Sequence, residues 1–272
     1  VDVEYVNKIS GLKLTSSEIC KLLEKARYDV KLKGNRIEVL YPAYRQDIMH
    51  PRDIVEDVII SYGYNRIEPI IPKIYTVGKA DEKIFLVEKV SEVMVGLGFQ
   101  EILSYTLTNK ENLFRKMNLE VGEVVEIENP ISAKWSVFRD KLLPGLLEFL
   151  SYNKHVEYPQ KIFEVGNIVL LDMKTETRAR DCLKLVCCIS DAKVSYEEIS
   201  SLLDAFFSMF GVDYKLKGVK HPSFIEGRVA EVLVGETSFG IIGEISPLVL
   251  NNWNLSMPVV AFEIEIEKLL KK

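Results

Sequence analysis

The amino-acid sequence predicts an α+β protein in two parts, a small winged-type α+β module followed by a larger, mostly antiparallel sheet flanked by helices. Three observations predict it. Signals for a helix, a hairpin and a second helix follow one another ahead of Pro69. The segment Pro69-Ile70-Ile71-Pro72 cannot continue a helix and reads as the start of a linker. Beyond it, strand-like runs outnumber the short βα alternations that a doubly wound parallel sheet requires. The expected division is a first domain over 1–69, a linker over 70–82 and a second domain over 83–272.

Thr15-Ser16-Ser17-Glu18 is a capping-box signal, and Ile19, Leu22, Leu23 and Ala26 behind it make one apolar helical face. Val30 and Leu32, then Ile37, Val39 and Tyr41, alternate on either side of Gly34-Asn35, which predicts a hairpin. His50-Pro51 opens the next helix, because proline at the first helical position gives up only an amide that had no partner; Gly63 closes it. In the second part, a helix runs from Glu82 to Gly98 and a β-rich stretch from Gln100 to Leu107. A strand over Val124–Ile127 ends at Asn129-Pro130, and a helix follows Pro144. Strands are expected over Ile162–Leu171 and Cys182–Ile189, a helix over Tyr196–Phe210, a hairpin around Gly235-Glu236 and a helix from Ser246-Pro247.

The composition narrows the function. A chain of 272 residues, 47% hydrophobic and 28% charged, has material for packed cores. No apolar run approaches the ~20 residues that cross a bilayer. The N-terminal Val1-Asp2-Val3-Glu4 has neither a basic region nor a signal-peptide core, and the missing initiator Met marks the chain as a fragment or a processed product. Cys20, Cys182, Cys187 and Cys188 show no metal-ligand spacing and read as reduced core thiols, which points to the cytoplasm. A net charge of −5 argues against a protein that wraps nucleic acid, so any contact with RNA must be local. Lys31, Lys33 and Arg36 on the hairpin could touch a phosphate, although a solvated hairpin face is the simpler reading.

The densest chemistry lies between Pro42 and Ile67. Ile54, Val58 and Tyr62 form the expected buried stripe of the second helix, which leaves Asp53, Glu56 and Asp57 on another face, with Asp47 just upstream. Acids this close need solvent, protons, basic neighbours or a cation, and a hard divalent ion such as Mg²⁺ suits oxygen donors. The alternative is a plain first helical turn, where carboxylates are favoured by the macrodipole with no metal.

The order Pro-x-Tyr-Arg-x-Asp, then Asp53, then Glu56-Asp57, then Tyr62-Gly63-Tyr64, resembles the fifth domain of the phenylalanyl-tRNA synthetase β subunit. The resemblance implies a Mg²⁺ site at Asp47, Asp53, Glu56 and Asp57, on the border with a partner subunit; aspartate at 57, where relatives often carry glutamate, shortens one ligand. It continues through Gly98-Phe99-Gln100-Glu101, Glu128-Asn129-Pro130, Arg139 with Leu142-Leu143-Pro144-Gly145-Leu146, and Phe163-Glu164-Val165-Gly166. Phe224-Ile225-Glu226-Gly227-Arg228 and Gly243-Glu244-Ile245-Ser246-Pro247 extend it to nearly the whole chain. These stretches resemble the catalytic-like domain of the same subunit, which shares the antiparallel fold of class II aminoacyl-tRNA synthetases.

The resemblance implies the C-terminal part of an archaeal or eukaryotic type β subunit, without its editing domain. Its partners would be the α subunit, which joins phenylalanine to tRNA with ATP in a tetramer of two α and two β chains, and tRNA itself through that assembly. A class II site needs arginines on the leaving phosphates. Aligned on Phe163-Glu164-Val165-Gly166, the family's active motif falls on Val169-Leu170-Leu171-Asp172, and the C-terminal motif on Met257 through Leu269, which holds no arginine or glycine. The chain alone is therefore expected to be non-catalytic, with no catalytic residue assigned to Arg139, His221 or Arg228; Arg228 opens a strand and could pair with Glu226 or Glu244. Two rival functions stand beside this reading. One is a Mg²⁺-dependent hydrolase built on the four carboxylates; the other is a regulatory synthetase paralogue that forms a homodimer.

Overall fold

The computed structural model describes residues 1–271, and the chain divides into two units, Val1–Val77 and a second that begins at Gly78. In the first unit, α1 (Val3–Ser10) starts where the Asp2 side chain accepts from the Glu4 amide and stops at Gly11, whose φ of 73° only glycine adopts at little cost. This helix is not among the expected elements; its signal in the sequence is the Asp2…Gly11 bracket around an apolar-periodic stretch. The expected capping box opens α2 (Ser16–Lys25): the Thr15 amide donates to Glu18 Oε2 at 2.7 Å and the Glu18 amide donates to Thr15 Oγ1 at 3.3 Å. The strands β1 (Asp29–Lys33) and β2 (Arg36–Leu40) pair antiparallel around Gly34-Asn35, and α3 (Pro51–Tyr62) follows. Val6, Ile19, Leu23, Ile37, Ile54, Val55 and Val58 share one small core. Tyr62 is only half-buried; Val55 takes the inner position expected of it.

The segment from Glu68 to Asp81 is exposed, with Ile70, Tyr75 and Val77 almost wholly in solvent. The Asp81 side chain then caps α4 (Glu82–Gly96) by accepting from the Lys83 amide.

The second unit is organised by a seven-stranded sheet whose strands are β3 (Gln100–Glu101), β6 (Gln160–Leu171), β7 (Ala179–Ser190), β8 (Lys215–Gly218), β9 (Phe224–Val234), β10 (Thr237–Ile245) and β11 (Val259–Glu265). Their spatial order is β3-β6-β7-β11-β10-β9-β8; β3 runs parallel to β6 and every other pair is antiparallel. A separate two-stranded ladder joins β4 (Leu107–Thr108) to β5 (Val137–Phe138). The remaining helices are α5 (Leu143–Tyr152), α6 (Tyr196–Met209) and α7 (Pro247–Asn252).

Alternation along the strands sorts the apolar residues to two faces. Phe163, Leu185, Cys187, Phe262 and Ile264 pack with Leu86, Val90 and Met94 of α4 and with Phe206 and Phe207 of α6. Ile162, Val186, Cys188 and Ala261 pack with Leu146, Leu147 and Leu150 of α5, Val249 of α7 and Trp253. All four cysteines are free thiols, as expected, with Cys182, Cys187 and Cys188 buried.

Two expected strands are shorter than the pattern suggested. Between Gln100 and Leu107 only the ends pair, β3 with β6 and β4 with β5; the β3–β6 ladder ends with the Ile102 amide donating to the Phe163 carbonyl at 2.8 Å. Val124–Ile127 forms no ladder, only an isolated bridge from Glu126 to Val137, since β5 offers just two residues for pairing. No helix among the described residues is long and apolar enough to cross a membrane.

Candidate functional site on the sheet face

The register of the sheet draws a straight line of residues across the face covered by α5. Lys217 lies opposite Glu231, Glu231 opposite Ile241, Ile241 opposite Glu263, Glu263 opposite Val186, and Val186 opposite Glu164. Residues directly opposite in an antiparallel ladder project to the same side. Three glutamates, from β6, β11 and β9, therefore share one face of the sheet.

The two inner ones are neutralised by neighbours built into the fold. Glu164 is fully buried. It accepts at Oε1 from Arg139 Nη1 at 2.7 Å and at Oε2 from Ser104 Oγ at 2.5 Å, while Arg139 Nε donates to the Asn167 carbonyl at 2.9 Å. A side chain at 166 would collide with the guanidinium, so Gly166 is the residue that lets Arg139 lie flat along β6. Glu263 accepts at Oε1 from Lys184 Nζ at 2.7 Å. Its Oε2 accepts from the Leu142 and Leu143 amides at 3.0 and 2.9 Å, at the start of α5. Those amides have no partner within the helix, and the macrodipole favours a carboxylate beside them. Burial raises the Glu263 carboxyl, but Lys184 and the amides outweigh it and hold the group below its ordinary value. Burial likewise opposes the Lys184 charge, and Glu263 overrides it, raising the ammonium.

This arrangement has the wrong sign for a nucleotide's phosphates. The buried Arg139 and the half-buried Lys184 on this face are each committed to a glutamate. Leu170 packs against the α5 cluster, and Asp172 faces Arg180 at 3.7 Å. In the stretch after β11, Lys268 pairs with Glu265 at 2.6 Å and donates to the Ser238 carbonyl. Arg228 pairs with Glu244 at 2.7 Å, one of the two partners expected for it, while Glu226 pairs with Lys220. His221 accepts at Nδ1 from the Ser223 amide at 3.2 Å. Burial, aided by Lys141, pushes its pKa down, which leaves a neutral ring. Glu164 and Glu263 are not among the functional residues expected from the sequence. The signal was a single carboxylate inside each of the apolar runs Ile162–Val165 and Val259–Ile264.

The four acids of the first unit are arranged differently. Arg45 binds Asp47 through Nε and Nη2, at 2.8 and 2.7 Å, and also reaches Asp57 Oδ2 at 2.8 Å. Tyr28 donates its hydroxyl to Asp57 Oδ2 as well. Asp53 accepts from the Met49 and His50 amides at 2.8 and 2.7 Å and closes a capping box on α3. Glu56 is exposed. Arg45 holds the Asp47 carboxyl below its usual value, and the two amides do the same for Asp53. Burial, then the bond to Asp57, raises the Tyr28 phenol. The donors are all oxygens, which suits Mg²⁺. As folded, however, a guanidinium occupies the space between Asp47 and Asp57, and the four do not converge. Among the described residues no three His, Cys, Asp or Glu side chains are grouped to hold a metal ion.

Residues 67–266 match the family described as phenylalanyl tRNA synthetase beta chain CLM domain, and residues 1–64 match the tRNA synthetase B5 domain. The chain belongs to the phenylalanyl-tRNA synthetase β-chain family. Phenylalanine–tRNA ligase β subunits from Thermococcus gammatolerans and Pyrococcus abyssi are 46% and 47% identical to it, each over 99% of this chain and 49% and 48% of their own length. The corresponding subunit of Korarchaeum cryptofilum is 41% identical over 98% of this chain and 48% of its own. The chain thus spans about half the length of these β-subunit relatives. In fold, pyrrolysyl-tRNA synthetase from Desulfitobacterium hafniense superimposes with a TM-score of 0.58 at 17% identity, covering 70% of this chain and 68% of that one. The α+β architecture expected of a class II synthetase-like sheet is what this β-chain member has.

Proposed function

We propose that this chain is the part of a phenylalanine–tRNA ligase β subunit that supports a catalytic α subunit in ATP-dependent joining of phenylalanine to tRNA, in the cytoplasm. The observation that carries the reading is the acidic line across the sheet face: the buried Arg139 and the half-buried Lys184 are spent on Glu164 and Glu263. Pyrophosphate leaving ATP would meet carboxylates where a synthetase offers unpaired arginines. The synthetase fold without that clamp suits a subunit that shapes and stabilises its partner. The domain limits 1–69 and 83–272, joined by 70–82, belong to the same reading. So does an assembly of two α and two β chains, with tRNA, ATP and phenylalanine held mainly by α.

The test mixes the purified chain with an α subunit of the family. Co-elution with tRNA charging, and no phenylalanine-dependent pyrophosphate exchange by the chain alone, is the expected result. Exchange by the chain alone would overturn the reading. Magnesium at Asp47, Asp53, Glu56 and Asp57 is a separate proposal. It requires the ion to displace Arg45 from Asp47 and Asp57, and calorimetric titration of Mg²⁺ into the assembled protein tests it.

A further inference from the structure

The acidic line ends at an open cavity of about 410 Å³. Its walls carry Asp140, Lys141, Lys184, Glu231, Glu263 and His221 among apolar side chains that include Met117, Leu143, Phe224 and Ile241. The charges do not balance. Asp140 pairs with Lys141 at 2.7 Å and Glu263 with Lys184 at 2.7 Å, while no described residue forms an ion pair or hydrogen bond with the Glu231 side chain. Lys217, its cross-strand neighbour, is exposed and forms no ion pair with it among the described residues. The cavity therefore presents one surplus carboxylate, half-buried on β9, beside an apolar floor. His221 stands at the wall with Nδ1 occupied by the Ser223 amide, so its neutral ring offers an Nε2–H donor. Gly240, in the adjacent strand, also lines the cavity; a side chain there would collide with the backbone of Glu263, so the strands can approach this closely only with glycine at that position.

We propose that this cavity binds a small organic ammonium ion with a compact apolar body, its charge on Glu231 and its body against Phe224, Leu143 and Ile241. Zwitterions and anions are disfavoured. Lys141 and Lys184 are already paired, so a ligand carboxylate would gain no free cation and would face Glu263 and Asp140. Free phenylalanine, which has the right apolar body, is on this argument a poor ligand, whereas the amine lacking its carboxylate is a good one. A lysine side chain of another protein carries the same charge on an aliphatic body and is the other possible source.

Phenethylammonium chloride titrated calorimetrically into the purified protein in its native assembly is expected to show saturable binding. The Glu231→Gln variant, which keeps the shape and removes the charge, should weaken it by roughly tenfold or more. Glu231→Asp should retain part of the affinity, and an unchanged circular dichroism spectrum for both variants separates lost binding from lost fold. Tighter binding of Nα-acetyl-lysine methylamide than of phenethylammonium would assign the site to a protein side chain; the reverse would assign it to a free amine. The proposal is overturned if phenethylammonium does not saturate, if Glu231→Gln binds it undiminished, or if phenylalanine binds as well as the amine. None of these outcomes depends on whether the chain supports an α subunit.

Discussion

The two acidic sets of this molecule solve the same electrostatic problem in opposite ways. On the sheet, Glu164 and Glu263 are buried, and each is met by one cation plus neutral donors, the Ser104 hydroxyl for Glu164 and two backbone amides for Glu263. On α3 and its approach, Asp47 and Asp53 lie near solvent, and one side chain, Arg45, serves two aspartates at once, Asp47 and the mostly buried Asp57. Burial makes the difference. A carboxylate without water depends on its partner for stability, so that partner cannot be exchanged cheaply. A carboxylate in water can trade a guanidinium for a solvent shell or an ion at small cost.

The strongest way to break this contrast is to remove Arg139. Arg139→Met leaves Glu164 charged and buried, and chemical denaturation should show a loss of about 3–5 kcal/mol in the second unit. Arg139→Met with Glu164→Leu should recover most of it; failure to recover would mean that the pair fixes geometry as well as charge.

Glu263→Gln comes next, at about 1–3 kcal/mol, because the amide still accepts from Leu142 and Leu143 but leaves Lys184 unpaired. The pair also predicts a pH profile. The Glu263 carboxyl lies below 4.5 when folded, so its contribution is full above that value and is lost as pH falls through the depressed one. Lys184 lies above 10.5, so its contribution is full below that value and is lost as pH rises through the elevated one. The pair's contribution to stability should be flat between those limits, and Glu263→Gln should lessen the acid limb.

In the first unit Tyr28→Phe should cost about 1 kcal/mol, since it removes one hydrogen bond from Asp57 and leaves the Arg45 contact in place. The sharpest effect on ion binding is expected from Arg45→Ala. It frees Asp47 and Asp57, so Mg²⁺ titration should give tighter binding than in the parent chain. Equal binding would show that the guanidinium does not compete for the site.

Local signals made much of the fold legible. Thr15 with Glu18, His50-Pro51, Gly34-Asn35 and Ser246-Pro247 each sit where the sequence placed a cap, a turn or a helix start. Such features depend on a few neighbouring residues, which is why they can be read one stretch at a time. The Arg228–Glu244 pair was also legible, because β9 and β10 form one hairpin. The partners of Glu164 and Glu263 were not. Arg139 lies 25 residues from Glu164, and the Leu143 amide 120 residues from Glu263, so those contacts exist only once the sheet is assembled. The four acids of the first unit were visible as a cluster, but Arg45 sits among them in the sequence as well, and only the three-dimensional arrangement gives the aspartates to it.

The position of β11 has a consequence for how the polypeptide comes together. It follows every other strand in sequence yet lies in the middle of the sheet, where it alone joins β7 to β10. The hairpins β6–β7 and β8–β9–β10 can form early from nearby residues, but each then shows a bare inner edge to the surroundings. During synthesis those edges wait for Val259–Glu265 to emerge, so a chaperone that shields strand edges, or a stop codon placed ahead of Val259, should alter the yield of soluble protein far more than seven residues would suggest.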